Sequence, residues 1–221
     1  MNSSDNIFKF VICGTDTDIG KTLISSFFVR GLNSFYWKPI QSGIESQTDS
    51  QTVRTLSKVS KDKIIKEAYV FTKPLSPHWA AEIDQKTINF DMLRLPKVNG
   101  PMIVETAGGL MVPLTRNFLQ IDQIKQWNLP VILVCKSSLG TLNHTLLSIE
   151  ALKRRNIEIL GLVVNGEKHL DNPKTLVEFS GIPLITEFPY IKKIDSNNFD
   201  IIWKELDIKN KLVSLLKSKI S

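Results

Sequence analysis

The chain has 221 residues, of which 42% are apolar and 23% charged, the balance of an ordinary globular protein long enough to bury a substantial core. No apolar run approaches the ~20 residues of a membrane span, and the opening MNSSDNIFKF lacks the basic-then-apolar pattern of a secretory signal, so a cytoplasmic protein without a membrane partner is expected. The formal charge is +6, but seven lysines against four acids from Ile191 onward hold half of that surplus; with no basic stripe interleaved with aromatics, nucleic acid is not an expected partner.

Taken in chain order, short apolar runs alternate with helical patterns. Ile7–Cys13 predicts a strand, Thr22–Leu32 a helix, Phe35–Pro39 a strand, Asp49–Lys58 a helix and Pro101–Thr106 a strand. A helix over Asp122–Trp127, a strand over Pro130–Cys135, a helix over Thr141–Arg154, a strand over Ile159–Asn165, a helix over Pro173–Ser180 and a strand over Ile182–Thr186 complete the series. Several strands are apolar without alternation, as parallel strands covered on both faces are. The order predicts a single α/β domain over residues 1–221, a doubly wound, mostly parallel sheet with helices on both faces. Ligands then bind beyond the carboxyl ends of the strands. Cys13 and Cys135 close apolar runs, where reduced buried thiols are common.

The stretch CGTDTDIGKT, Cys13 to Thr22, lies between the first strand and the first helix. It ends in Gly-Lys-Thr like a phosphate-binding loop, although its early glycine, Gly14, comes one residue ahead of the standard place. The context is the one the motif requires and predicts a P-loop NTPase-like fold. Gly20 lets the backbone approach phosphate, amides at the helix start supply donors, Lys21 reaches the outer phosphates and the Thr22 hydroxyl reaches Mg²⁺.

Glu105 in PMIVETAGG ends a neighbouring strand, where a magnesium-holding carboxylate is needed, and Gly108 and Gly109 allow a tight turn beside phosphate. Asp49 either caps its helix or touches the metal. YWKPIQSG places Lys38 and Ser42 on the same edge; Lys38 is either a solvated strand end or a second cation for phosphoryl transfer. LGTLNH, Leu139–His144, is a helix start, with Thr141 as its cap in the plain reading.

Together GTDTDIGKT, YWKPIQSG, SPHWA, VETAGGLMVPL, SSLGTLNHTLLSIEAL and EFPYI occur in the order seen in dethiobiotin synthetase, and the chain resembles that family from about Phe10 to Ile191. The resemblance implies an enzyme that closes a ureido ring on 7,8-diaminononanoate with CO₂ and ATP, using Mg²⁺, as a homodimer with the substrate site at the subunit interface. It implies that Lys21 and Lys38 stabilise phosphate and carbamate charge, with Thr17 and Ser42 beside them in the catalytic set. Thr22, Asp49 and Glu105 would hold Mg²⁺. Asp16, Thr17, Asp18, Ile19, Gly20, Lys21, Thr22, Glu105, Gly108, Gly109 and Asn165 would line the nucleotide site, with Asn165 at the base. Thr17, Lys38, Ser42, Leu139, Gly140 and Asn143 would meet the substrate. Asp16 is expected to shape the loop or orient Lys21. Thr106 stands where many relatives have glycine, which puts added bulk near the phosphates.

A partition- or division-type ATPase switch on the same fold is the alternative. It draws on IKNKLVSLLKSKIS, which puts Ile208, Leu212, Leu215, Leu216 and Ile220 on one helical face; such a face more often packs on its own domain. A cobyrinate-type synthetase would need a further glutaminase domain.

Overall fold

A computed structural model of the protein describes residues 8–44, 47–191 and 194–218. Strand β1 (Lys9–Gly14) sets the pattern of the core. Successive side chains of a strand point to opposite faces, and both faces of β1 are apolar. Phe10 and Ile12 belong to one core cluster, Val11 and Cys13 to another. A strand apolar on both sides must lie inside a sheet covered on both faces.

From β1 the chain continues through α1 (Lys21–Leu32), β2 (Phe35–Trp37), β3 (Ile40–Ser42), α2 (Asp49–Ser57), β4 (Ile64–Ile65), β5 (Tyr69–Phe71), α3 (Pro77–Ile83) and β6 (Met102–Gly109). It then forms β7 (Pro113–Thr115), β8 (Phe118–Leu119), α4 (Gln120–Trp127), β9 (Val131–Lys136), α5 (Thr141–Arg154), β10 (Ile159–Asn165), α6 (Asn172–Ser180), β11 (Leu184–Phe188), α7 (Ser196–Glu205) and α8 (Ile208–Lys217). The main sheet has seven strands in the order β11-β10-β9-β1-β6-β2-β4, and every pairing in it is parallel. The expected α/β architecture is therefore the observed one. The chain winds outward from β1 through β2 to β4, returns at β6, and leaves on the other side through β9, β10 and β11. That reversal opens a crevice at the carboxyl end of β1, where this class of sheet binds ligands.

One face is covered by α1, α2, α7 and α8, which bring Ile24, Phe27, Phe28, Val53, Phe199, Trp203, Ile208 and Leu212 onto Phe10, Ile12 and Tyr36. The other is covered by α4, α5 and α6 through Ile121, Ile124, Trp127, Ile149, Leu152 and Leu176. A smaller cluster, with Ile40, Phe71, Ala80, Ala81 and Leu114, lies beneath α3. The apolar face of α8 packs on its own core, with Ile208 and Leu212 buried and Leu215 and Leu216 partly so; Ile220 lies outside the described residues. Among the described residues no helix is long and apolar enough to cross a membrane.

The predicted helix Thr141–Arg154 matches α5, and the others match within two residues. Phe35–Pro39 is shorter than expected, because the chain leaves the main sheet after Trp37 and pairs β3 with β5 in a separate parallel ribbon. Ile7, expected in the first strand, lies outside the described residues.

Candidate functional site

The loop between β1 and α1 enters the helix through Gly20, whose φ of 92° is left-handed. The left-handed conformation requires glycine, and a Cβ there, 2.1 Å from Asn165 Nδ2, would push the Asn165 amide aside. Asn165, at the end of β10, donates from Nδ2 to the Ile19 carbonyl at 2.9 Å. Asp16 Oδ1 accepts the Thr17 amide at 2.7 Å. The Asp16 carbonyl accepts from Lys21 Nζ, also at 2.7 Å. Lys21 is buried; burial pulls its ammonium below the ordinary lysine value, Glu105 opposes that and Lys38 reinforces it. A cation held down by desolvation and by a second cation is poised to receive an anion.

Period two along neighbouring strands assembles the rest. Tyr36 pairs in register with Ile103, and both lie in the cluster beneath α1. Two residues further on, Lys38 and Glu105 point to the same face, toward the first turn of α1, where Thr22 sits. The Thr22 hydroxyl lies 2.8 Å from Glu105 Oε1 and 3.0 Å from Asp49 Oδ1. Lys38 Nζ bonds Asp49 Oδ2 and reaches Glu105 Oε1 at 3.4 Å. Burial lowers the Lys38 ammonium, but Glu105 and Asp49 outweigh it and hold it above the ordinary value. Glu105 Oε2 accepts the Tyr36 hydroxyl at 2.9 Å. Tyr36 is held well above the ordinary phenol value by burial and then by the Glu105 and Asp49 charges, so it stays a donor.

Asp49 is free to join this group because it does not cap its helix. Thr48 does, accepting from the Gln51 amide while Gln51 returns a bond to the Thr48 amide. This capping box leaves Asp49 as the first helical residue. Three oxygens, from Thr22, Asp49 and Glu105, thus stand within 3.0 Å along the two contacts they share. Octahedral Mg²⁺ with oxygens at ~2.0–2.1 Å has neighbouring ligands ~2.9 Å apart. The donor set, two carboxylates and a hydroxyl, is also hard oxygen of the kind magnesium takes.

Gly108, at φ 66°, turns the end of β6; a Cβ there would stand 2.9 Å from Val112 Cγ2 and 3.7 Å from Thr17 Oγ1. A Cβ on Gly109 would rest on the backbone of Thr15 and Asp16. Thr17 and Asp18 are exposed, Asp18 with a left-handed φ of 53°. The Ser42 hydroxyl is buried with no hydrogen-bond partner among the described residues, an orphan that a bound ligand would satisfy.

Thr106 is fully buried and, one residue on from Glu105, lies on the opposite face of β6, away from the cluster around Thr22. One expectation is corrected. Thr141 does not cap α5; Gly140 holds the cap position at φ 92°, and Thr141 Oγ1 donates to the Lys136 carbonyl at 2.5 Å. Leu139, Gly140 and Asn143 stand at the surface, beside a groove of about 440 Å³ lined by Lys136, Ser137, Ser138, Asn165, Gly166, Glu167, Lys168 and His169. Tyr36 went unnoticed in the sequence. Its signal was a phenol in an otherwise apolar strand, two residues before Lys38 on the same face; a buried tyrosine hydroxyl needs a partner.

The sheet, loop and carboxylate cluster define a nucleotide-binding α/β protein of the P-loop class, and residues 9–198 match the model of a family described as an AAA domain. Solved structures with this fold include the septum site-determining protein MinD complexed with Mg-ADP from Pyrococcus horikoshii, 15% identical with a TM-score of 0.58 over 93% of each chain. A ParA family ATPase from Chlorobium tepidum is 10% identical with a TM-score of 0.51, covering 96% of this chain and 98% of that one. At these identities the likeness concerns the fold alone.

Sequence relatives narrow the class. The ATP-dependent dethiobiotin synthetase BioD of Brucella anthropi is 47% identical over 84% of this chain and 88% of its own. Those of Rhodopseudomonas palustris and Nitrobacter hamburgensis are 44% and 42% identical, over 85% and 83% of this chain and 88% and 86% of theirs. The chain belongs to the ATP-dependent dethiobiotin synthetase family.

Proposed function

We propose that this chain makes dethiobiotin from 7,8-diaminononanoate, CO₂ and ATP in biotin biosynthesis. The observation that carries the reading is the convergence of Lys21, Thr22, Lys38, Asp49 and Glu105 at the carboxyl ends of β1 and its neighbours. One substrate amine adds to CO₂ and loses a proton, giving a carbamate. A carbamate oxygen then attacks the γ-phosphorus of ATP and ADP departs. The second amine attacks the carbonyl carbon of the mixed anhydride, the ring closes and phosphate leaves.

The substrate brings both nucleophiles, so the protein's part is positioning and electrostatics. Loop amides and Lys21 hold the outer phosphates, and Asp16, Thr17, Asp18, Ile19, Gly20, Gly108 and Gly109 shape that cradle. Lys38 neutralises the carbamate and the transferring phosphoryl group, with Thr17 and the orphan Ser42 hydroxyl as donors. Thr22, Asp49 and Glu105 would hold Mg²⁺, which when bound offsets phosphate charge and orients the nucleotide. Asn165 and the adjoining groove would take the base. Leu139, Gly140 and Asn143 would meet the substrate's carboxylate across a homodimer interface, consistent with their exposure on a single chain.

The test incubates purified protein with MgATP, bicarbonate and 7,8-diaminononanoate and follows cyclic urea by mass spectrometry alongside ADP. Matched urea and ADP, each dependent on the diamine, is the expected result. ATP hydrolysis indifferent to the diamine and stimulated by lipid vesicles would overturn the reading in favour of a membrane-associated switch.

A further inference from the structure

The two oxygens of Glu105 have separate neighbours. Oε1 faces Thr22 Oγ1 at 2.8 Å and Lys38 Nζ at 3.4 Å; Oε2 accepts from the Tyr36 hydroxyl at 2.9 Å. Both Glu105 and Tyr36 have no solvent exposure, so no water competes for Oε2. We propose that Tyr36 is a positioning residue of the metal site, fixing Glu105 so that only Oε1 is presented to a divalent cation beside Thr22 and Asp49. This rests on the assignment of magnesium to those three residues.

The argument starts from the freedom of a glutamate. Its terminal torsion is broad and roughly two-fold, so an untethered carboxylate can turn and offer either oxygen, or both, to a neighbouring cation. Lys38 stands beside Glu105 as such a cation. Magnesium tolerates little of that freedom, because it demands near-ideal octahedral geometry. The fold removes the freedom by placing the phenol on the core side. β2 and β6 are paired in register at Tyr36 and Ile103, so Tyr36 lies one residue pair deeper than Lys38 and Glu105. From there its hydroxyl reaches Glu105 from the interior, opposite the loop.

The division of labour follows. The inner oxygen is occupied by a neutral donor that cannot compete for the metal, and the outer one is left for the site. A phenylalanine would fill the same space in the core but leave a buried carboxylate oxygen unpaired, a state that folded proteins avoid. Partners that orient a metal ligand in this way typically affect metal affinity by roughly ten- to a hundredfold.

The test compares wild type with Tyr36→Phe and Glu105→Gln by isothermal titration with ADP, in EDTA and across a magnesium series, with thermal melts in EDTA alongside. The phenylalanine variant should bind ADP in EDTA like wild type, yet need about tenfold or more magnesium to reach the tightened state. A role confined to packing would lower the melting temperature and leave the magnesium requirement unmoved. If Glu105→Gln loses the magnesium response and Tyr36→Phe keeps it within twofold, the positioning role is overturned. If neither variant changes the response, the magnesium assignment itself fails and the proposal with it. Should Tyr36→Phe prove too unstable for calorimetry, Mn²⁺ affinity by electron paramagnetic resonance in the cold, with ADP present, reads the same quantity.

Discussion

Lys38→Met removes the ammonium bound between Asp49 and Glu105, and its consequence can be worked from the burial of the three groups. The side chain of Lys38 is 8% exposed, that of Glu105 0% and that of Asp49 28%. Asp49 can rehydrate, so the loss falls on Glu105, which keeps the Thr22 and Tyr36 hydroxyls. Removing one partner of a buried pair costs about 3–5 kcal/mol; with two donors left, the lower end, about 3 kcal/mol, applies. For a chain of this length each kcal/mol moves the melting temperature by ~2–4 °C, so the variant should melt ~6–12 °C below wild type in EDTA. Magnesium held by Thr22, Asp49 and Glu105 as proposed would supply the missing positive charge and should raise the variant's melting temperature more than that of wild type. Circular dichroism melts in EDTA and in millimolar magnesium measure both. A variant that melts within about 2 °C of wild type in EDTA, or gains no more than wild type from magnesium, would refute the reasoning. Turnover should fall far more than ADP affinity in the same variant.

Ser42→Ala deletes a buried hydroxyl without a partner among the described residues, so stability should stay within ~0.5 kcal/mol while kcat/KM falls about tenfold or more through a lost bond to charged substrate; equal activity in steady-state assays would remove Ser42 from the site. Burial raises Cys135 and pushes Cys13 up to about 12, so neither thiol should react with a disulfide reagent in the native protein at mildly alkaline pH, and both should react in denaturant. Gly31→Ala would put a Cβ 2.2 Å from the Trp203 ring, whose retreat is limited by Phe27 and Phe28 at 5.2 and 5.7 Å between centroids. Overpacking of about 1–3 kcal/mol cancels or exceeds the ~1 kcal/mol helix gain of alanine, and a chemical denaturation midpoint above wild type would contradict this. The Arg30 bond holds Asp200 below the ordinary carboxylate value, so its stabilisation is present above ~3.9 and lost as pH falls through the lowered value. With side chains 31% and 41% exposed it is worth under ~1 kcal/mol, and Asp200→Asn should lower urea midpoints by that little at neutral pH and not at all at strongly acid pH.

The sheet was legible in the sequence because its central strands are long and apolar on both faces, and the loop because Gly20, Lys21 and Thr22 follow one of them. The elements that escaped are short or polar. β3, β4 and β5 have two or three residues each, too few to show a period. α7 reads SNNFDIIWKE, rich in residues that favour turns, and buries only Phe199 and Trp203, four apart. In the site, Lys38 and Glu105 could be named singly. That they meet depends on the register of β2 against β6, which no local pattern encodes. Asp49 was ambiguous for a simpler reason, since Thr48 beside it is an equally good cap.

The bond from Asn165 to the Ile19 carbonyl joins the groove at the end of β10 to the phosphate loop, and the Cβ-free Gly20 lets that amide press against the loop. If the groove takes the base as proposed, retuning which nucleoside it accepts would begin at Asn165. Any replacement that lets go of Ile19 would loosen the cradle as well, so a redesigned base preference would come with a blurred grip on the triphosphate. On that assignment the two recognitions would share one side chain, and a directed-evolution campaign would have to improve them together.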